Sequence, residues 1–200
     1  MPFPSAIQPA FRDAVRESQS VFRLAMNAMS TPGMILSLPT RLAAPPPLHA
    51  PAAALLLTLC DFETTVWLDP PLAHSAGVID FLRFHTGAKI VASPADADFA
   101  ALADAERMPE LAAFRQGTPE YPDRSATLIV QVETLTASGW KLEGPGIRDM
   151  ANFSAAPLPA DFARQFGRNR SAFPCGVDIF FATRDQFAAL PRSTRLMETA

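Results

Sequence analysis

Residues 117–132 constrain this chain more than any other stretch. Gly117-Thr118-Pro119-Glu120-Tyr121-Pro122-Asp123-Arg124-Ser125 runs directly into Ala126-Thr127-Leu128-Ile129-Val130-Gln131-Val132. Pro119 and Pro122 hold the first half extended and forbid a helix there. The second half is an apolar, β-branched-rich run of strand length. A stiff loop therefore delivers Glu120, Tyr121, Asp123 and Arg124 to the start of a buried strand. Ligand and partner contacts gather at such places, because a loop can be polar while its scaffold stays rigid. The same residues also suit a surface turn with an internal Asp123–Arg124 pair.

Two hundred residues suffice for a single domain, 1–200, with a sizeable core. With 48% apolar and 18% charged residues the chain reads as globular rather than disordered. Twenty prolines, twice the usual ~5%, imply many fixed turns between short elements. A net charge of −3 and no basic block argue against a nucleic-acid groove. Lys89 and Lys141 are the two lysines among 17 basic residues, which leaves 17 − 2 = 15 arginines. Arginine forks suit phosphate oxygens and interface carboxylates, although a GC-rich gene gives the same bias.

Cys60 and Cys175 lie far apart in apolar surroundings and form no disulfide framework or CxxC motif. His49, His74 and His85 have no metal-ligand spacing. Met1-Pro2-Phe3-Pro4-Ser5 lacks the basic end and apolar stretch of a signal peptide. The apolar run from Ala50 to Cys60 contains Pro51 and falls far short of the ~20 residues of a membrane span. A soluble, cytoplasmic protein with no membrane association is expected.

Periodicity predicts a first helix from Pro9 to Met29, with Phe11, Val15, Phe22, Met26 and Met29 on one stripe. Ser30-Thr31-Pro32-Gly33 stops it, and Met34–Leu38 reads as a short strand or extended arm. Pro45-Pro46-Pro47 is a rigid connector. Ala52 to Leu59 is apolar on every side, so it is central or at a subunit interface. Further strands are expected at Thr65–Leu68, Lys89–Ala92, Asp98–Leu102, Trp140–Glu143 and Val177–Ala182. Further helices are expected at Gly77–Thr86 (capped by Gly87), at Glu110–Phe114, around Phe162 and Phe166, and in a short piece up to Leu190. Ser138-Gly139 reads as a turn, and a hairpin between Val132 and Trp140 argues against an all-parallel sheet. The expected architecture is a layered α/β domain, a mixed sheet sandwiched by helices in three layers.

Several groups can bind anions. Arg83 and His85 fall at a helix end, where the dipole alone favours cations, or where they can face the Tyr121–Arg124 loop and hold a phosphate or phosphonate. Arg192-Ser193-Thr194-Arg195 offers two guanidinium groups and two hydroxyls, as an anion site or a solvated tail. Gly144-Pro145-Gly146 permits close backbone approach but lacks a phosphate-loop pattern, so an ordinary turn is favoured. Asp178 interrupts an apolar strand and needs a partner, for which an arginine is the natural mate. The candidate anion or substrate residues are Arg83, His85, Tyr121, Asp123, Arg124, Arg192 and Arg195. None is assigned a catalytic role, and no Ser-His-Asp or Cys-His pattern is visible.

The stretch from Gly117 to Leu128 resembles the signature of PhnH, a carbon–phosphorus lyase complex subunit family of bacterial phosphonate breakdown. Phe22–Gly33, Phe81–Gly87, Leu142–Ile147, Phe173–Asp178 and Leu190–Arg195 agree in the same order, so the resemblance spans nearly the whole chain. It implies a fold like the large domain of pyridoxal-phosphate-dependent transferases. A Schiff-base lysine must sit at the mouth of a site. Lys89 and Lys141 both fall in strand patterns, so the fold is expected without that cofactor, and no cofactor or metal is expected.

The resemblance further implies partnership with PhnG, PhnI and PhnJ, and a homodimer in isolation. In that family the assembly couples an alkylphosphonate to the ribose C1 of MgATP with release of adenine. PhnI carries the nucleosidase-like chemistry, and a radical iron–sulfur subunit, PhnJ, later breaks the C–P bond. The expected role is structural or binding, since the residues supply anion-binding groups without an obvious nucleophile–base pair, and the lack of an iron–sulfur cysteine set fits a role outside the radical step. The alternative is a stand-alone small transferase or hydrolase acting on a phosphorylated nucleotide, with a site built from His85, Asp123, Arg124 and Arg195.

Overall fold

The apolar run Thr127–Gln131 forms the strand β5, and the sheet is built around it. The computed structural model describes residues 10–148 and 150–197. Its remaining elements are helices α1 (Ala14–Ser30), α2 (Ala50–Leu59), α3 (Pro70–Ala73), α4 (Ala76–Thr86) and α5 (Phe162–Ser171), with strands β1 (Leu36–Ser37), β2 (Thr65–Leu68), β3 (Lys89–Val91), β4 (Phe99–Leu102), β6 (Thr134–Glu143), β7 (Ala151–Ala156), β8 (Asp178–Ala182), β9 (Gln186–Leu190) and β10 (Arg195–Met197). Seven strands form one sheet in the order β1-β9-β8-β5-β4-β2-β3. β8, β5, β4, β2 and β3 run parallel, while at one edge β9 pairs antiparallel to β8 and β1 antiparallel to β9.

Alternation along the strands divides the core in two. Val66, Leu68, Ala101, Ile129 and Phe180 face α1, α2 and α4. Leu102, Leu128, Val130, Ile179 and Phe181 face α5 and a second, three-stranded sheet ordered β10-β6-β7. The mixed sheet and its flanking helices match the sequence expectation, but the second face is covered partly by strands.

The all-apolar segment Ala52–Leu59 is central. Ala52 to Leu56 are fully buried within α2, which packs among α1, α4 and the sheet, while Leu57, Thr58 and Leu59 are half-buried. The stripe expected on the first helix holds only at its ends, where Phe11 and Met29 pack against the core. Val21, Ala25 and Ala28 are buried, whereas Val15, Phe22 and Met26 are 66%, 49% and 54% exposed. The exposed stripe is rotated roughly a third of a turn from the buried one. Small alanines admit the close approach of α1 to the alanine-rich α2, which turns the larger side chains outward. The expected start at Pro9 lies outside the described residues, and Asp13 caps the helix by accepting from the Arg16 N–H at 3.1 Å.

Further expectations are corrected along the chain. Ser138-Gly139 is no turn: β6 runs through it, with a register shift between Thr136 and Trp140 that bulges the strand. Consequently no hairpin joins Val132 to Trp140, and β5 and β6 belong to different sheets. Gln186–Leu190 is a strand rather than a helix, because pairing to β8 in a doubly covered sheet overrides the helical preference of its alanines. Glu110–Phe114 reduces to a 3₁₀ turn, Leu111–Ala113, and Pro122–Arg124 forms another inside the loop expected to be extended.

Candidate functional site

The loop before β5 sits at the amino ends of the parallel strands. Tyr121, Asp123 and Arg124 are exposed there, and the Arg124 guanidinium carbon lies 4.2 Å from the centroid of the Tyr121 ring. Arg192 reaches the same loop from beyond β9. Its Nη1 donates to the carbonyls of Pro122 (2.9 Å) and Pro174 (3.2 Å), and its Nη2 donates to the Ser125 hydroxyl. Its remaining donors go to Asp178, the acid that interrupts the β8 pattern, so the expected arginine mate is found. Arg192 is therefore a structural clasp with its fork already occupied, not an open anion site.

The other candidates do not converge on this loop. Arg83 and His85 occupy the last turn of α4, at the negative end of the helix dipole. The His85 ring packs edge-on to Phe81 at 4.7 Å and Phe84 at 4.9 Å. Three strand spacings, about 14 Å, separate β3, which follows this helix, from β5. Arg195 lies on β10 opposite Glu143, with Nη1 3.8 Å from its carboxylate, as an exposed cross-strand pair. Gly144-Pro145-Gly146 is a tight turn against the end of α1. A Cβ on Gly146, whose φ is +83°, would overlap the Ser30 carbonyl oxygen.

The opposite, carboxyl edge of the sheet holds the larger concavity, a cleft of about 860 Å³ beyond β4, β5 and β8. His49, Gln131, Glu133, Arg184 and Asp185 line it, with Asp104 and Glu106 on the β4 side. Gln131 is buried where β5 ends. Its Oε1 accepts from the His49 N–H at 2.6 Å, and its Nε2 donates to the Pro47 carbonyl at 3.0 Å. One amide thus ties the proline connector to the sheet and seats His49 at the cleft. Burial lowers the proton affinity of His49, and Arg184 lowers it further, against the opposing carbonyls of Ala182 and Thr183. Four carboxylates against Arg184 disfavour a bare phosphate here.

Sequence reasoning missed His49, Gln131 and Arg184 as a group. Their only signal was a glutamine at the end of an otherwise apolar strand, since 82 residues separate His49 from Gln131. On the cleft wall the Thr183 hydroxyl donates to the Asp185 carboxylate at 3.2 Å, within the turn between β8 and β9. Cys60 is buried elsewhere in the helical core, and that burial pushes its thiol far above the ordinary range, which makes it inert. Among the described residues, no three His, Cys, Asp or Glu side chains are placed to hold a metal ion. Nor is any helix among them long and apolar enough to cross a membrane.

The clasped signature loop fits the sequence resemblance, and comparison with known proteins decides the family. The family model of the bacterial phosphonate metabolism protein PhnH matches residues 9–197. The chain belongs to the PhnH family. It is 40% identical over 188 residues to the alpha-D-ribose 1-methylphosphonate 5-triphosphate synthase subunit PhnH of Rhizobium meliloti (strain 1021), covering 94% of each chain. It is 29% identical over 179 residues to HtxG of Stutzerimonas stutzeri, which carries the name of a C–P lyase subunit, covering 89% of this chain and 85% of that one. The clasp residues Ser125, Asp178 and Arg192 all fall within the span matched by the PhnH model.

Proposed function

We propose that this chain is a structural or binding subunit of a carbon–phosphorus lyase core complex. In that role it supports formation of alpha-D-ribose 1-methylphosphonate 5-triphosphate from MgATP and methylphosphonate, with release of adenine. The observation that carries this reading is the 40% identity to the synthase subunit over 94% of both chains. The partners are PhnG, PhnI and PhnJ, and the location is the cytoplasm. A non-catalytic role is supported by the clasp at Arg192 and by the dispersal of the candidate polar residues. A stand-alone transferase would need His85, Asp123, Arg124 and Arg195 together, yet they sit on α4, the loop and β10.

Two accessory proposals accompany this. The fold is that of the large domain of pyridoxal-phosphate-dependent transferases without the cofactor. Lys89 is exposed at the amino end of β3 and Lys141 lies within β6, both away from the carboxyl-edge cleft. The isolated chain is a homodimer, and the exposed Val15, Phe22 and Met26 of α1 supply apolar surface for it.

The test is reconstitution. The isolated chain mixed with MgATP and methylphosphonate should release no adenine, and adding PhnG, PhnI and PhnJ should bring release along with co-purification of all four. Adenine from the isolated chain, or failure to co-purify with the other subunits, would overturn the reading.

A further inference from the structure

We propose that the amino-edge surface around Tyr121 and Phe173 docks an acidic segment of another protein subunit, whose carboxylates bind Arg124 and Arg170. This docking rests on the subunit role proposed above, whose partners then carry the acidic segment. The loop before β5 and the segment between α5 and β8 feed two adjacent parallel strands. Each presents an exposed aromatic residue followed by a proline, Tyr121-Pro122 and Phe173-Pro174. The carbonyls of Pro122 and Pro174 accept from the same nitrogen, Nη1 of Arg192, at 2.9 and 3.2 Å. One guanidinium thus sets the two aromatic–proline pairs side by side.

Each ring carries an arginine. The guanidinium carbon of Arg124 lies 4.2 Å from the Tyr121 centroid, and that of Arg170 lies 5.4 Å from the Phe173 centroid. Stacking occupies the flat face of a guanidinium and leaves its in-plane donors to meet a carboxylate. Among the described residues neither arginine is in an ion pair. The Nε of Arg170 is buried without an acceptor, so the free chain leaves a donor unmet at this surface.

Tyr121 and Phe173 are 52% and 55% exposed, and the exposed Ala172 and Pro174 extend the apolar surface. Aromatic rings with arginines are the composition of the anchors that carry most of the energy of a protein interface. The backbone beneath them is already fixed. Thr118 and Tyr121 exchange N–H donors with each other's carbonyls at 3.2 and 3.1 Å, and the Gly176 N–H donates to the Gln116 carbonyl at 2.9 Å. A preset surface has little ordering left to lose on binding. Glu120 and Asp123, exposed on the same loop, repel carboxylates from its flanks and confine them to the two forks. Two separate forks ask for two carboxylates held apart, as on a peptide segment, which a single small anion does not supply.

The test is capture of the whole chain by purified PhnG, PhnI and PhnJ, with unfolding midpoints measured alongside. Phe173→Ala and Arg170→Glu should each weaken capture at least about tenfold at a midpoint close to the parent's. Added salt should weaken capture of the parent more than capture of Arg170→Glu. Arg107→Glu, whose parent side chain is 88% exposed at the opposite edge of the sheet, should be captured as the parent is. Should Arg170→Glu fail to fold, Arg124→Glu on the exposed loop reads the same charge. Parental capture of Phe173→Ala and of Arg124→Glu would overturn the docking site and leave the subunit role standing. A parent chain that is not captured would overturn that role and the docking with it. Loss of self-association in these variants, with capture unchanged, would give the surface to a second copy of this chain and overturn the acidic partner.

Discussion

Arg192 grips both carboxylate oxygens of Asp178, with Nη2 2.5 Å from Oδ2 and Nε 3.1 Å from Oδ1, and the Arg192 backbone N–H adds a bond to Oδ1 at 2.7 Å. The side chains are 13% and 21% exposed. The pair joins the start of β8 to the segment after β9, and its spare donors pin the loop that feeds β5. One guanidinium therefore couples three segments that are distant in sequence but meet at one end of the sheet.

Removing one partner of such a pair leaves a largely buried charge. Arg192→Ala is expected to destabilise the fold by about 3 kcal/mol, and Lys should restore only part, since a point charge cannot reproduce the fork. Urea unfolding of both variants measures this. A loss under about 0.5 kcal/mol, the range of an ordinary surface change, would remove Arg192 from its clasp role.

Gly146 makes a different demand. With φ at +83° and the Ser30 carbonyl where a Cβ would stand, Gly146→Ala combines backbone strain with a steric overlap at the end of α1. A destabilisation of at least about 2 kcal/mol is expected by thermal or urea unfolding. An alanine variant as stable as the parent would contradict the packing of this turn against α1.

His49 gives the fold a pH dependence of definite sign. Its folded-state proton affinity is lowered, so between that value and the unfolded value near 6.5 the unfolded chain binds more protons. Stability is then held above about pH 6.5 and falls as pH drops toward the folded value. His49→Gln should flatten that part of the profile. Urea midpoints at several pH values, for the chain and the variant, give the comparison, and identical slopes would show that His49 does not titrate this way.

Legibility in the sequence followed locality. β2, β5, β8 and α4 were readable because each declares itself within its own residues, by an apolar run or by a glycine cap at Gly87. The demand of Asp178 for an arginine was also readable, though not which arginine, since Arg192 is met only after β8 and β9 fold back as a pair. β7, with the sequence Ala-Asn-Phe-Ser-Ala-Ala, has too few branched residues to announce a strand, and pairing with β6 alone makes it one. The cleft at His49 was hidden for the same reason. Gln131 and His49 meet because the proline connector crosses the end of β5, and no spacing rule spans that contact.

Arg124 separates assembly from folding. It is exposed and lies over Tyr121, itself 52% exposed, so the stacking contributes about 0.5–1 kcal/mol at most and nothing buried depends on it. Arg124→Ala should leave the unfolding midpoint close to the parent's. As a solvent-facing fork on a clasped loop, Arg124 is suited to meet a carboxylate or phosphate on a partner surface. The alanine variant is therefore expected to co-purify poorly with the other subunits and to support phosphonate-dependent growth weakly, with lysine recovering part of both. Because the clasp at Arg192 keeps the loop in place in this variant, the defect would lie in the lost guanidinium rather than in loop geometry. Parental co-purification and growth in Arg124→Ala would exclude the residue from assembly, and a large stability loss would place its role within the fold instead.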